Sequence, residues 1–233
     1  MKRLLKFLLI KLPLCYVALS LVLVLLLKYV PVYYTPLMLK RHVQNREDKE
    51  YVIKKKWRSL ERISPEAARC VVASEDNKYF DHKGFDYEEF SKVARAHVEK
   101  GKKMRGCSTI SQQTAKNVFT FCSRTAARKV LEAYYTVLIE KIWGKERIME
   151  VYLNVAEMGK GIFGIEAASR NHFGISAAEL DVSKAALIAA SLPDPQHRNP
   201  AKPTKFMLSR QKSVIKITHD LSYPDWLDYE PVK

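Results

Sequence analysis

Three short stretches of this chain hold residues that could do chemistry. The first runs from Ser74 to Gly84 (SEDNKYFDHKG) and sets the acid pair Glu75-Asp76 beside aromatics and a tight turn. Apolar surroundings raise a carboxyl pKa and suit it to general acid or base work. The same residues also read as a helix end with solvated acids, and His82 as a hydrogen bonder that stabilises the turn. The second stretch, GCSTISQQTAKN from Gly106 to Asn117, brings hydroxyls, two amides and Lys116 to a helix start. Free N–H groups and the helix dipole there suit an anion. Gln112 and Gln113 are easier to place as ligand contacts than as core, although a capped helix with a polar outer side fits equally. In the third, Arg128, Lys129 and Glu132 share one helix face. Taken alone, that spacing describes a surface salt bridge worth a few tenths of a kcal/mol.

The elements that must carry these stretches are helical. Ser64-Pro65-Glu66 has the form of a helix start, serine as N-cap and proline first, for a helix over about 67–76. A turn at 81–84 leads to a second helix, about 87–99, and the stretch EKGKKMR (99–105) reads as a mobile basic loop. Thr109 and Gln112 form a capping box. Residues 124–143 have helical period, with Val130, Tyr134, Val137, Leu138 and Ile142 as the expected apolar stripe and Gly144 as the stop. A further helix is predicted over 145–155, and Ser176 with Glu179 makes a second capping box. A buried small-residue helix is expected over 185–191, and a last one over about 205–219 after a proline-rich stretch. No segment alternates as a strand does. The domain is expected to be mainly α.

With 233 residues and a formal charge of +15, the chain calls for an anionic partner: nucleic acid, a phospholipid surface or a phosphate-bearing substrate. The N-terminus narrows this. Lys2, Arg3, Lys6 and Lys11 precede an apolar run from Leu12 to Leu27, extended by Tyr29, Val30 and Val32 to Tyr34. About 20 apolar residues cross a bilayer, and the basic flank predicts a cytoplasmic N-terminus. No small-x-small cleavage site follows Leu27, so a retained anchor is expected rather than a signal peptide. The organisation read from this is a basic tail over 1–11, a transmembrane anchor over 12–34, a juxtamembrane connector over 35–63 carrying little core, and one domain over 64–233. Outside the cytoplasm, lipid or lipid phosphate explains the basic surface better than nucleic acid. Cys15 falls in the anchor. A Cys107–Cys122 or Cys70–Cys122 bridge is open in an oxidising compartment, and no metal-ligand spacing exists.

Together the stretches resemble the monofunctional biosynthetic peptidoglycan transglycosylases, relatives of the glycosyltransferase domain of bifunctional penicillin-binding proteins. Five blocks match in order: Glu75–Gly84, Gly106–Asn117, Arg128–Glu132, Lys145–Asn154 with its continuation NVAEMGKGIFGIEAAS, and ALIAASLPDP at Ala186–Pro195. Cys107, where glycine is usual, and Asn171-His172, where an aromatic pair is common, depart from the pattern. The resemblance implies a lysozyme-like helical glycosyltransferase domain behind a single N-terminal transmembrane helix, acting on lipid II and a lipid-linked glycan at the membrane. It implies Glu75 as the base, and Lys116, Arg128, Lys129 and Arg210 as cations for the departing pyrophosphate. Ser108, Thr109, Gln112, Gln113 and Asn117 would hold phosphate or sugar hydroxyls. Glu132 would orient the cations or a divalent metal (Mg or Mn), and cell-wall synthesis proteins are further expected partners. A lytic enzyme using Glu75 as general acid and a non-catalytic membrane scaffold are the rival readings. The S-x-x-K matches at Ser209–Lys212 and Ser213–Lys216 lack a K-T-G partner, so no transpeptidase is expected.

Overall fold

A computed structural model describes residues 10–101, 107–121 and 125–232. The basic tail before Ile10, most of the EKGKKMR loop, Gly106, Cys122 and Arg124 lie outside the described residues. So does any bridge to Cys122. Cys15, Cys70 and Cys107 are free thiols.

Helix α1 (Leu12–Tyr29) is long and apolar enough to cross a membrane. It ends five residues short of the expected boundary. Pro31 pushes the residue before it out of helical conformation, and Val30 is extended at φ −107°, ψ 141°. Val32 then belongs to the core of the domain. The following segment is more than a connector. Thr35 caps a short helix α2 (Pro36–Gln44), whose Met38 is fully buried, and Leu60 and Ile63 are buried as well. Single apolar residues scattered among charges give no periodic signal, so their burial is invisible in the sequence.

Helix α3 (Pro65–Glu75) starts at Ser64, but the Ser64 hydroxyl donates to Leu180 O at 2.7 Å instead of capping. After α4 (Tyr87–Lys100) come α5 (Ile110–Phe119), α6 (Ala126–Ile142) and α7 (Gly144–Val155). A small sheet follows, in strand order β1-β3-β2. Strand β1 (Lys54–Lys55) lies parallel to β3 (Ile162–Phe163), and β2 (Glu157–Gly159) is antiparallel to it. Strands of two and three residues are too short to show alternation. The second capping box opens only a one-turn 3-10 helix (Ala177–Glu179), after α8 (Ile165–Phe173). Helix α9 (Val182–Ser191) is capped by Asp181, and α10 (Lys205–Asp220) follows. The domain is mainly α-helical.

Two packing features place the site. Helices α3, α9 and α10 meet through small residues, Cys70 and Ala73 against Ala185, Ala186, Ala189 and Val214. Side chains this short let the helices approach closely, which draws the C-terminal end of α3 against α10. Burial also pushes the Cys70 thiol up to about 12, so it is packing and not a nucleophile. Helix α5 packs on α6 and α7. On α6 the buried face carries Glu132, Tyr135, Thr136 and Ile139, whereas Val130 and Val137 of the expected stripe are 69% and 40% exposed. Tyr134, Leu138 and Ile142 of the stripe are partly buried and pack against the core. The Tyr134 hydroxyl pairs with Ser20 at 2.6 Å and that of Tyr135 with Tyr16 at 3.1 Å, which docks α1 along α6. Trp143 Nε1 donates to Val24 O at 2.7 Å, and Arg147 donates to Leu27 O and Val30 O at 2.8 and 2.7 Å.

Candidate active site

The last residue of α3 is Glu75, and its neighbour Asp76 locks the surroundings. Asp76 is buried and accepts from His82 Nε2 at 3.0 Å and from the Ile110 N–H at 2.9 Å. That second bond joins the end of α3 to the first turn of α5. His82 Nδ1 in turn accepts from the Gly84 N–H at 3.0 Å, which fixes the tautomer with the proton on Nε2. His82 therefore stabilises the turn. Gly84 sits at φ +96°, and a Cβ there would lie 2.8 Å from the Thr136 methyl. Only glycine lets this turn pass so close to α6. The Gly84 carbonyl accepts from Thr109 Oγ1 at 2.7 Å.

Thr109 and Gln112 complete their capping box reciprocally, at 3.1 Å and 3.0 Å. Their side chains fix where α5 begins. Ile110, Ser111, Thr114, Ala115, Asn117 and Val118 are buried, so Gln112, Gln113, Lys116 and Phe119 are left on the accessible side of α5. Gln113 reaches across to the end of α3 and donates from Nε2 to Glu75 Oε2 at 3.0 Å. Lys116, three residues on, and Arg210 of α10 both lower the Glu75 pKa through their charge. Desolvation is the larger influence, and the Glu75 carboxyl is raised above the ordinary carboxylate range.

Two recesses of about 390 and 680 Å³ adjoin at this carboxyl, and Ser74, Glu75, Ser108 and Arg210 line both. The smaller limb extends toward Asp86, Glu89 and Lys92 at the start of α4 and holds Cys107 at its edge. The larger limb extends along Gln113 to Pro193, Asp194 and Arg198. Glu75 thus stands at a junction, where two molecules bound in the two limbs would meet.

Arg128, Lys129 and Glu132 line neither limb. Glu132 is 2% exposed and uses both carboxylate oxygens, one on Arg128 and one on Lys129 Nζ at 2.6 Å. A buried carboxylate held by two cations is no ordinary surface pair. Removing the acid would leave two positive groups without their partner. Asn117 is buried and also lies off both limbs, while Thr109 reaches the smaller one. Of the expected cations, Lys116 and Arg210 both act on Glu75, and Arg210 also lines both limbs. Ser74 opens the first stretch but carries no expected role there, and Arg198 sits in the proline-rich stretch before α10, where nothing in the sequence marks it.

Among the described residues no group of three His, Cys, Asp or Glu side chains converges, and Glu132 has no unengaged oxygen.

The transglycosylase family model matches residues 29–219, from the end of α1 almost to the end of α10. The chain belongs to the transglycosylase family. This transglycosylase is 47% identical over 217 residues to a biosynthetic peptidoglycan transglycosylase of Caulobacter vibrioides, covering 93% of this chain and 92% of that one. It is 48% identical over 195 residues to a protein of the same name from Bacteroides thetaiotaomicron, covering 83% and 78%. A third, from Chromohalobacter salexigens, is 41% identical over 214 residues, covering 91% of each chain. The matched region of the transglycosylase contains both limbs and the whole helical frame around them.

Proposed function

We propose that this transglycosylase polymerises lipid II into peptidoglycan glycan strands at the outer face of the cytoplasmic membrane. The growing glycan on its lipid pyrophosphate is the donor, and the GlcNAc 4-hydroxyl of lipid II is the acceptor. Glu75 removes the hydroxyl proton as the oxygen attacks MurNAc C1 from the face opposite the leaving group. The new C1–O bond forms, the bond to the pyrophosphate oxygen breaks, and the lipid pyrophosphate departs with the electron pair. Inversion follows from in-line attack. A sugar hydroxyl is a very weak acid, so the carboxylate must take its proton during bond formation. The raised pKa of Glu75 makes it a stronger base than a solvated carboxylate, and the single observation carrying the reading is its place at the junction of two limbs.

Negative charge gathers on the departing pyrophosphate, and fixed cations stabilise it without reorganising. Lys116 and Arg210, both close enough to act on Glu75, are assigned that role directly. Arg128 and Lys129 extend the positive region at the start of α6, and Glu132 is a positioning residue that holds them. Ser108 and Gln113 are placed to hold sugar or phosphate oxygens, whereas Thr109 and Gln112 set the start of α5. The basic N-terminal flank supports a tail inside and a domain outside. Tethering confines enzyme and lipid-tailed substrates to one surface and raises their effective concentration.

A raised carboxyl pKa would also suit a lytic enzyme's general acid. Cations gathered at the carboxylate favour synthesis, because glycan cleavage releases no pyrophosphate. Incubation with lipid II separates the two: growth of glycan supports synthesis, and shortening of preformed strands supports lysis. Glu75→Gln is expected to abolish turnover while lipid II binding persists, and near-normal polymerisation by that variant would remove Glu75 as the base.

A further inference from the structure

The geometry points to a second anion subsite in the larger limb, built by Arg198 with Arg210, that binds an oxyanion of the saccharide substrate. It rests on the reading above, in that the limb is taken as a substrate site. Arg198 is half-buried and held from two sides. Its Nη1 donates to Ala190 O at 3.0 Å, and its guanidinium lies over the Phe206 ring at 5.0 Å. Arg210 is fixed by Nη2 bonds to Ser74 O and Oγ at 3.2 and 3.3 Å, and its Nε is buried with no hydrogen-bond partner.

Neither arginine has a carboxylate within ion-pair distance among the described residues. Of the two acids lining the same limb, Glu75 accepts from Gln113 at 3.0 Å and Asp194 is engaged with His197 at 2.7 Å. Elsewhere the partly buried arginines Arg41, Arg58, Arg69, Arg128 and Arg147 each pair with an acid. Two fixed guanidinium groups line one limb, and their planar forks match phosphate or carboxylate oxygens. The substrate carries both kinds of oxyanion, on its diphosphate and on its stem peptide. Loss of Arg198 removes a charge-assisted contact made on binding, so its effect falls on KM rather than on kcat.

The test is steady-state polymerisation of lipid II by the full-length chain, wild type against Arg198→Gln and Arg198→Lys, with geranyl diphosphate as a competing ligand. Arg198→Gln is expected to raise KM about tenfold, with kcat changed less than about twofold, and Arg198→Lys to fall between. If geranyl diphosphate inhibition weakens by the same factor, the anion is the diphosphate. If that inhibition is unchanged and the KM effect vanishes on lipid II with amidated stem-peptide carboxylates, the anion is a carboxylate. An unchanged KM in Arg198→Gln, or a loss confined to kcat, overturns the subsite. Should the wild type not polymerise lipid II, the proposed function fails instead. Calorimetric binding of geranyl diphosphate, weaker in Arg198→Gln or not, then decides the subsite by itself.

Discussion

Replacing Gln113 by Met tests whether Glu75 works as an ionised base. Gln113 Nε2 donates to the carboxylate at 3.0 Å and opposes the desolvation that raises the Glu75 pKa. Methionine keeps the length and the helix propensity but removes the donor. A hydrogen bond to a charged group contributes about 1.5–3 kcal/mol. The same amide also reaches Ser108 O at 3.3 Å, so the lower end of that range applies. About 1.4 kcal/mol corresponds to one pH unit. The ionised form loses that support, the pKa rises further, and activity disappears at a higher pH on acidification. The acid limb of kcat/KM for lipid II, which reports the free enzyme, is expected to move up by about one pH unit. Substitution also leaves the Tyr152 hydroxyl without its 3.4 Å acceptor, for which about 1 kcal/mol of stability is the expected loss. Such a loss lowers activity at every pH and does not move the midpoint. A midpoint that stays put or moves down would show that Glu75 is not the titrating base.

Two further outcomes follow from the same geometry. Because desolvation raises the Glu75 pKa, its neutral form favours the folded state, and that contribution is lost as pH rises through the folded value. Glu75→Gln should therefore melt above the wild type near pH 7, and the gap should close at pH below the ordinary carboxylate range, as thermal unfolding at both pH values would record. An equal gap at both would remove desolvation as the cause. Glu132→Gln leaves Arg128 and Lys129 without their shared acid, and a buried pair broken on one side costs about 3–5 kcal/mol. Roughly half of that is expected here, since Lys129 is 54% exposed, and a denaturant midpoint matching wild type would contradict the positioning role.

Local chemistry was legible in the sequence wherever it depends on neighbours along the chain. The α5 capping box, the proline-led start of α3, the stop at Gly144 and an apolar helix long enough to cross a membrane are written in adjacent residues, because hydrogen bonds within one turn and apolar length need no tertiary partner. Glu75, Gln113 and Lys116 could be picked as residues of interest for the same reason. What adjacency cannot encode is which distant side chains converge. Arg198 and Arg210 lie far from Glu75 along the chain, yet close packing of small residues between α3, α9 and α10 carries both to the limb beside it. On α6, Glu132 could be buried because two cations satisfy it, and the Tyr134 and Tyr135 hydroxyls found partners on α1. Apolar period measures the transfer of carbon out of water, and it is blind to polar groups whose partners arrive from another helix.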